Sequence, residues 1–177
     1  MENQLARIKL LLLDVDGVLT DGRIIYDNHG NELKAFDVKD GHGLKMVQRA
    51  GIKVGIITGR RSDVVSRRAQ ELGIEILYQG ALHKLEPYLE ILSEQGLIDE
   101  QVAYVGDDIV DLPILHRVGF SATVADAVPD LFPCVDYVTT RPGGGGAVRE
   151  ICDLLLRASG QWDEITKRYF AVSGITD

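Results

Sequence analysis

The chain has 177 residues, of which 45% are hydrophobic and 26% charged, and its formal net charge is −8. This length and composition are typical of one globular domain with a substantial core. The acidic balance argues against nucleic acid as the main partner, because neutralising phosphates requires a basic face. The apolar run over residues 8–13 is far shorter than the roughly 20 residues that cross a bilayer, so we expect no membrane span.

The start of the chain and its cysteines indicate the compartment. Residues 1–4 lack the basic region of a secretory signal, and no long apolar stretch follows them. The two cysteines, Cys134 and Cys152, lie among apolar residues and have no metal-binding spacing. We therefore expect small buried thiols in a cytoplasmic protein.

Short apolar runs alternate with helical patterns along the chain, which favours an α/β fold with a doubly wound, Rossmann-like parallel sheet. The predicted strands cover residues 9–14, 53–58, 74–78, 102–105, 120–124 and 136–139. Helices are predicted near residues 44–50, 62–72, 84–94, 112–118 and 147–158, and a glycine follows each within two residues, as helix ends prefer. We expect a single domain over residues 1–177, with a C-terminal tail over 161–177 that could be mobile.

One segment, residues 23–36, breaks this alternation between the first strand and the first helix. Residues 24–26 and 33–36 are predicted to be two extended stretches around a turn at 27–31. An isolated two-stranded hairpin is only marginally stable in water. The hairpin therefore either associates with other subunits or folds back onto its own domain.

Polar residues that packing of a hydrophobic core does not explain occur at four predicted strand ends or helix starts. Taken singly, they would also suit an Asx turn, a helix N-cap or a solvated lysine, so their combination carries the prediction. Ligands of open α/β sheets bind at the carboxyl ends of the strands. We therefore expect these side chains to line one crevice: Asp14, Asp16, Thr58, Lys84, Asp107 and Asp108. Four carboxylates together require a hard cation, for which Mg²⁺ is favoured, and a lysine and a hydroxyl suit a phosphoryl group.

These residues resemble the four motifs of the haloacid dehalogenase (HAD) superfamily of phosphohydrolases. Within that superfamily, further segments resemble the family of 3-deoxy-D-manno-octulosonate 8-phosphate (KDO 8-phosphate) phosphatases: DVDGVLTDG at 14–22, KDGHG at 39–43, YQG at 78–80, AYVGDD at 103–108 and GGAVRE at 145–150. The resemblance covers about residues 8–158. It implies a HAD-like fold and a magnesium-dependent phosphomonoesterase of lipopolysaccharide precursor synthesis.

The resemblance also implies roles for the motif residues. Asp14 would be the nucleophile and would form an aspartyl-phosphate intermediate. Asp16 would act as general acid on the leaving sugar oxygen and then as base for water. Asp14, the main-chain carbonyl of Asp16 and Asp107 would hold Mg²⁺, while Thr58 and Lys84 would neutralise the phosphoryl oxygens.

Four residues near these motifs have less certain roles. Asp108 would lie behind the metal ligands and orient either Lys84 or a metal-bound water. For Asp111, a position at the start of a helix is favoured over a role at the site. Gly59 and Arg60 are predicted to bind substrate, although a guanidinium that could pair with a substrate carboxylate could equally lie in solvent.

The spacing between the motifs leaves no room for a cap domain. Only the hairpin and one helix separate Asp16 from Thr58, and one helix and one strand separate Thr58 from Lys84. The resemblance then implies the capless type, whose hairpins associate in a homotetramer. A neighbouring subunit would help to close the crevice.

Two alternatives to this function remain open. A related sugar-acid phosphate, such as a nonulosonate 9-phosphate, would suit the same motifs. A non-enzymatic receiver domain also groups aspartates, a threonine and a lysine around Mg²⁺. Its phosphoaccepting aspartate ends the third strand, however, where this chain has Tyr78-Gln79-Gly80.

Overall fold

The computed structural model describes residues 2–170, and residues 1 and 171–177 lie outside it. The strands are β1 (Leu10–Leu13), β2 (Ile25–Tyr26), β3 (Glu32–Leu33), β4 (Lys53–Thr58), β5 (Ile76–Gln79), β6 (Val102–Gly106), β7 (Phe120–Thr123) and β8 (Tyr137–Val138). The helices are α1 (Glu2–Leu5), α2 (Val38–Arg49), α3 (Asp63–Leu72), α4 (Leu85–Gln95), α5 (Leu112–Leu115), α6 (Ala147–Ala158) and α7 (Trp162–Phe170).

Six of the strands form one parallel sheet in the order β5-β4-β1-β6-β7-β8, which confirms the predicted doubly wound α/β fold. Strand β1 lies inside the sheet, and its four leucines are fully buried. The chain adds β4 and β5 on one side of β1, and β6, β7 and β8 on the other. The strand order therefore reverses at β1, and ligands of such sheets bind beside that point.

The strand registers bring the predicted site residues to one edge of the sheet. Leu13 of β1 is opposite Ile56 of β4 and Val105 of β6. Parallel strands end at the same edge, so the residues that follow these three positions lie on one side of the molecule. These residues are Asp14, Thr58 and Asp107.

Helix α2 begins at Val38, six residues before the predicted start. Asp37 caps it, and its side chain accepts a hydrogen bond from the backbone N–H of Lys39 at 2.6 Å. Gly41 and Gly43, in the first turns of α2, interrupt the helical pattern in the sequence. The packing of the helices nevertheless requires Gly43. A Cβ on Gly43 would lie 2.8 Å from Cδ of Arg149, so this glycine lets α2 and α6 pack closely.

The segment inserted between β1 and α2 forms the expected hairpin, in which Ile25 pairs with Leu33 and Tyr26 with Glu32. The predicted C-terminal tail starts as helix α7. The guanidinium of Arg157 lies 3.8 Å from the ring centroid of Trp162, the first residue of that helix. Residues 171–177 of the tail lie outside the described part of the chain.

Within residues 2–170, no helix has the length and apolar character needed to span a membrane. Both cysteines are free thiols. Cys152 is buried as expected, whereas Cys134 is partly exposed because it ends a 3₁₀ turn over residues 129–134.

Asp40, in the first turn of α2, is 1% exposed and connects α2 to the start of α6. Its Oδ1 accepts a hydrogen bond from the backbone N–H of Arg149 at 2.7 Å, whereas Oδ2 has no partner among the described residues. Burial raises the pKa of Asp40 to about 6, although the hydrogen bond from Arg149 opposes this shift. The folded protein therefore binds this proton more tightly than the unfolded chain does.

Asp40→Asn should change how the free energy of unfolding depends on pH. Because the folded-state pKa is raised, the Asp40 proton stabilises the wild type below about pH 4, and this stabilisation is lost as the pH rises through about 6. The variant should therefore gain about 1–2 kcal/mol relative to the wild type between pH 4 and pH 7 in urea unfolding. The exposed Asp130→Asn is the control and should show no such gain. A pH-independent difference for Asp40→Asn would contradict the prediction.

Candidate active site

Asp14 follows β1 and is buried at the carboxyl edge of the sheet. Its Oδ1 accepts a hydrogen bond from the backbone N–H of Val15 at 2.7 Å, and its Oδ2 lies 2.8 Å from Nζ of Lys84. Burial raises the pKa of Asp14 to about 6, even though the charge of Lys84 lowers it. Two donors thus fix the carboxylate in place, but the charge of Lys84 does not fully offset the cost of burying it.

Asp107 follows β6 and faces the turn after β1. A Cβ on Gly17 would lie 1.9 Å from Oδ2 of Asp107, and Gly17 has a φ of +91°, so only glycine fits this turn. Burial together with the charges of Asp14 and Asp111 raises the pKa of Asp107 to about 7. Two acidic groups with raised pKa values therefore lie side by side, which favours a cation between them.

Lys84 precedes α4, and its buried ammonium lies between two carboxylates. Its Nζ is 2.8 Å from Oδ2 of Asp14 and 2.7 Å from Oδ1 of Asp111. Burial lowers the pKa of Lys84, but the charges of Asp14 and Asp111 outweigh this effect and raise the pKa above its ordinary value. Lys84 is thus a charged donor fixed beside Asp14.

The structure corrects the expectations for Asp108 and Asp111. The Oδ1 of Asp108 accepts a hydrogen bond from the backbone N–H of Ile109 at 2.7 Å, at the start of a 3₁₀ turn. Asp111, which was expected to be merely a residue at a helix start, is fully buried and orients Lys84 instead. Asp111, and not Asp108, therefore contacts Lys84. The other role predicted for Asp108, to orient a metal-bound water, stays a prediction.

The acidic cluster fits a magnesium site made by two carboxylates. Oxygens of Asp14, Asp107 and Asp111 lie within 4.8 Å of one another. Asp111, however, already accepts from Lys84 and Tyr104 at Oδ1, and from the backbone N–H groups of Asp107 and Asp108 at Oδ2. Asp14 and Asp107 are therefore the carboxylates left to bind a hard cation. That the main-chain carbonyl of Asp16 completes the ligand set stays a prediction.

Thr58 and Gly59 lie at the end of β4, at the same edge. Thr58 is buried, and its main-chain oxygen accepts a hydrogen bond from Ala81 at 3.0 Å. A Cβ on Gly59 would make only an ordinary contact, 3.9 Å from the main-chain oxygen of Ala81. The protein itself therefore does not require glycine at this position, which is compatible with the predicted approach of a ligand.

Arg60 does not lie free in solvent. Its Nη2 donates a hydrogen bond to Oε1 of Glu32 at 2.8 Å and to the hydroxyl of Tyr26 at 3.4 Å, so it joins the start of α3 to the hairpin. The hairpin also reaches Asp16, because Lys34 forms an ion pair with Oδ1 of Asp16. The binding of a substrate carboxylate by Arg60 stays a prediction, and it would have to compete with Glu32.

A glycine-rich loop over residues 143–146 packs against the turn after β1, which faces Asp107. The backbone N–H of Gly144 donates to the main-chain oxygen of Val18 at 2.9 Å, and that of Gly143 donates to Asp126 at 2.8 Å. A Cβ on Gly143 would lie 1.7 Å from the main-chain oxygen of Gly17. The loop is therefore packed against the site, and the backbone N–H groups of Gly143 and Gly144 bond to the protein itself.

Sequence reasoning missed two residues at this site, Lys34 and Glu32, and did not favour a role there for Asp111. The third aspartate of the run Asp107-Asp108-Ile109-Val110-Asp111 was the signal for Asp111, because its spacing puts it one turn after Asp107. Lys34 and Glu32 gave no comparable signal. Glu32 lies on a two-residue strand and Lys34 directly follows it, and both reach the site only because the hairpin folds back onto it.

Comparison with known proteins connects this site to described enzymes. The family model of haloacid dehalogenase-like hydrolases matches residues 40–119. The chain is also 53% identical over 157 residues to the 3-deoxy-D-manno-octulosonate 8-phosphate phosphatase KdsC of Escherichia coli K12. The aligned part is 89% of this chain and 84% of that relative.

Two solved structures share the fold over nearly their whole length. One is the 3-deoxy-D-manno-octulosonate 8-phosphate phosphatase of Moraxella catarrhalis in complex with a magnesium ion, a phosphate ion and a KDO molecule. Its TM-score is 0.93 at 42% identity, over 95% of this chain and 97% of that chain. The other is the cobalt-bound deoxy-D-mannose-octulosonate 8-phosphate phosphatase of Haemophilus influenzae. Its TM-score is 0.89 at 42% identity, over 94% of this chain and 98% of that chain.

Asp107→Asn and Asp111→Asn should affect Mg²⁺ binding very differently. Asp107→Asn removes one of the two available carboxylates and should weaken binding roughly 100-fold. Asp111→Asn should weaken it only about tenfold, at the low end expected for a residue that supports a metal ligand without binding the ion. The measurement is the rise in melting temperature during a MgCl₂ titration. Equal losses in the two variants would contradict this division of roles.

Proposed function

The chain belongs to the family of KdsC phosphatases among the haloacid dehalogenase-like hydrolases, and we propose that it hydrolyses KDO 8-phosphate to KDO and inorganic phosphate. The observation that carries the proposal is the buried carboxylate of Asp14, held by Lys84 beside Asp107 at the point where the strand order reverses. The magnesium, phosphate and KDO bound by the Moraxella relative support the same substrate class.

Mg²⁺ is the proposed cofactor, held by Asp14, Asp107 and the main-chain carbonyl of Asp16. When bound, it would supply positive charge against the phosphoryl oxygens and against the two carboxylates. The raised pKa values of Asp14 and Asp107 support this assignment, because burial and neighbouring carboxylates disfavour their charged forms and a bound cation would offset both effects.

In the first step Asp14 attacks the phosphorus of the substrate. A bond forms between a carboxylate oxygen and phosphorus, while the bond from phosphorus to the sugar oxygen breaks. Asp16 donates its proton to that departing oxygen, so the sugar leaves as an alcohol. Lys84, held on its other side by Asp111, and Thr58 stabilise the negative charge on the transferring group.

In the second step water hydrolyses the aspartyl phosphate. Asp16, now a carboxylate, accepts a proton as the water oxygen attacks phosphorus. The bond between phosphorus and Asp14 breaks, which releases inorganic phosphate and restores the Asp14 carboxylate. Asp16 is protonated again and ready for the next substrate.

A panel of phosphate esters tests the substrate, ranked by kcat/KM in the presence of Mg²⁺. It contains KDO 8-phosphate, a nonulosonate 9-phosphate, a hexose phosphate and phosphoserine. KDO 8-phosphate should rank first. The nonulosonate ester in first place would favour the alternative substrate, and a hexose phosphate or phosphoserine above every 2-keto acid would overturn the proposal. A stable phosphoprotein without phosphate release would favour the receiver-like alternative.

Asp14→Asn should abolish turnover of KDO 8-phosphate without unfolding the protein, because an amide cannot attack phosphorus as a carboxylate does. Phosphate release measures the activity, and circular dichroism checks the fold. Asp153→Asn, on α6, is the matched control and should retain wild-type turnover. Residual activity of Asp14→Asn within about tenfold of the wild type would exclude Asp14 as nucleophile.

We also propose that the enzyme acts in the cytoplasm, in the synthesis of lipopolysaccharide precursors. The two free cysteines support a reducing compartment. The substrate class supports the pathway, since KDO is a component of lipopolysaccharide.

The hairpins are proposed to associate in a homotetramer. Their outward apolar side chains Ile24, Ile25, Tyr26 and Leu33 are 42–59% exposed, which is unfavourable in a monomer. Without a cap domain, a neighbouring subunit would also shield the site from water.

Sedimentation equilibrium tests this assembly. The wild type should be a tetramer, and Ile24→Asp combined with Ile25→Asp should dissociate it, because charge on the apolar face opposes burial. Leu89→Asp, at an exposed leucine of α4, is the control and should leave the tetramer intact. An active monomeric wild type would contradict the proposal.

A further inference from the structure

Lys34 connects the hairpin to the proposed acid–base residue. The Lys34 side chain is only 1% exposed, and its Nζ forms ion pairs with Oδ1 of Asp16 and, at 3.5 Å, with Oε1 of Glu32. Lysine is almost never so deeply buried unless it is paired. The ammonium therefore has a defined position next to Asp16.

Glu32 fixes this lysine to a rigid part of the fold. Its Oε1 accepts a hydrogen bond from Nη2 of Arg60 at 2.8 Å, and its Oε2 accepts one from the hydroxyl of Ser62. Ser62 is the N-cap of α3, where its hydroxyl also accepts from the backbone N–H of Val65 at 3.4 Å. Bonding to Ser62 is the largest of the effects that lower the pKa of Glu32, so this carboxylate stays charged. Lys34 is thus anchored through Glu32 to the start of α3.

The two carboxylate oxygens of Asp16 have different surroundings. Oδ1 is bound to Lys34, whereas Oδ2 accepts no hydrogen bond from the described residues. The Asp16 side chain is 22% exposed, so it remains open to the crevice. A carboxylate held by one oxygen presents the other in a fixed direction.

We propose that Lys34 is a positioning residue for Asp16, which it holds at Oδ1 so that Oδ2 exchanges the proton. This inference rests on the proposed acid–base role of Asp16. Asp16 first gives its proton to the leaving sugar oxygen and becomes a carboxylate. Lys34 then pairs with that carboxylate and keeps it oriented while Oδ2 accepts a proton from the attacking water. The hairpin is thereby part of the active site of its own subunit, in addition to any contact between subunits.

Lys34→Met tests this role in the full-length protein. The kcat for KDO 8-phosphate should fall about 10–100-fold, as expected when proton transfer is impaired, while KM changes less than about threefold. Lys34→Arg keeps the charge and should restore kcat to within about fivefold of the wild type. Lys53→Met, at the opposite end of the sheet, is the matched control and should retain wild-type kcat. Sedimentation should give the same assembly for all four proteins.

A double-mutant cycle separates positioning from a general structural effect. In the background of Asp16→Asn, adding Lys34→Met should change the residual activity by less than about twofold, because Lys34 acts through Asp16. An equal loss in both backgrounds would overturn the proposal, as would a Lys34→Met variant with unchanged kcat.

A crystal structure of Lys34→Met provides a readout that does not depend on activity. The Asp16 carboxylate should turn away from its wild-type position, and an unmoved Asp16 would overturn the proposal. The failure of the proposed function would be visible elsewhere. It would appear as a wild type that releases no phosphate from KDO 8-phosphate, whatever Lys34→Met does to the position of Asp16.

Discussion

The arrangement of the active site is constrained by negative charge concentrated at the carboxyl edge of an apolar sheet. Three carboxylates, those of Asp14, Asp107 and Asp111, lie just after two neighbouring strands, β1 and β6, and burial makes each charge expensive. Lys84 compensates two of them directly, and backbone and tyrosine donors satisfy Asp111. The pKa values of Asp14 and Asp107 are raised because burial and the neighbouring carboxylates outweigh the positive charge of Lys84. A divalent cation and an anionic substrate together match this arrangement, so the same electrostatics explains cofactor and reaction.

The hairpin has two faces with different physical roles. Its inner side chains, Lys34 and Glu32, are polar and make ion pairs with Asp16 and Arg60. Its outer side chains are apolar and exposed. The sequence left open whether the hairpin folds onto its own domain or associates with other subunits. The inner contacts show that it does fold back, and the outer face still favours association. One short element thus combines polar contacts to its own domain on one side with an exposed apolar surface on the other.

Prediction from the sequence succeeded for features that depend on residues close together in the chain. The central strands β1 and β6 are short, buried apolar runs, and four of the five glycines after the predicted helices adopt left-handed conformations, Gly119 being the exception. The start of α2 was predicted too late, because Gly41 and Gly43 hide its periodicity. Gly43 is required by contact with α6, which lies about a hundred residues further along the chain. The contacts of Asp108 and Asp111 were not predictable for a similar reason, since only the folded chain shows that Asp111 is the carboxylate that faces Lys84.

The fold class, the glycine turn after β1 and the candidate residues at the strand ends can all be read from the sequence. Apolar periodicity, backbone conformation and residue chemistry are properties of neighbouring positions, so a linear pattern contains them. The ion-pair partners become visible only in the folded chain: Lys84 with Asp111, Lys34 with Asp16, and Arg60 with Glu32. Ion pairs of this kind join residues that are 18 to 28 positions apart. Their formation depends on how helices and the hairpin pack, and this packing is set by the whole core.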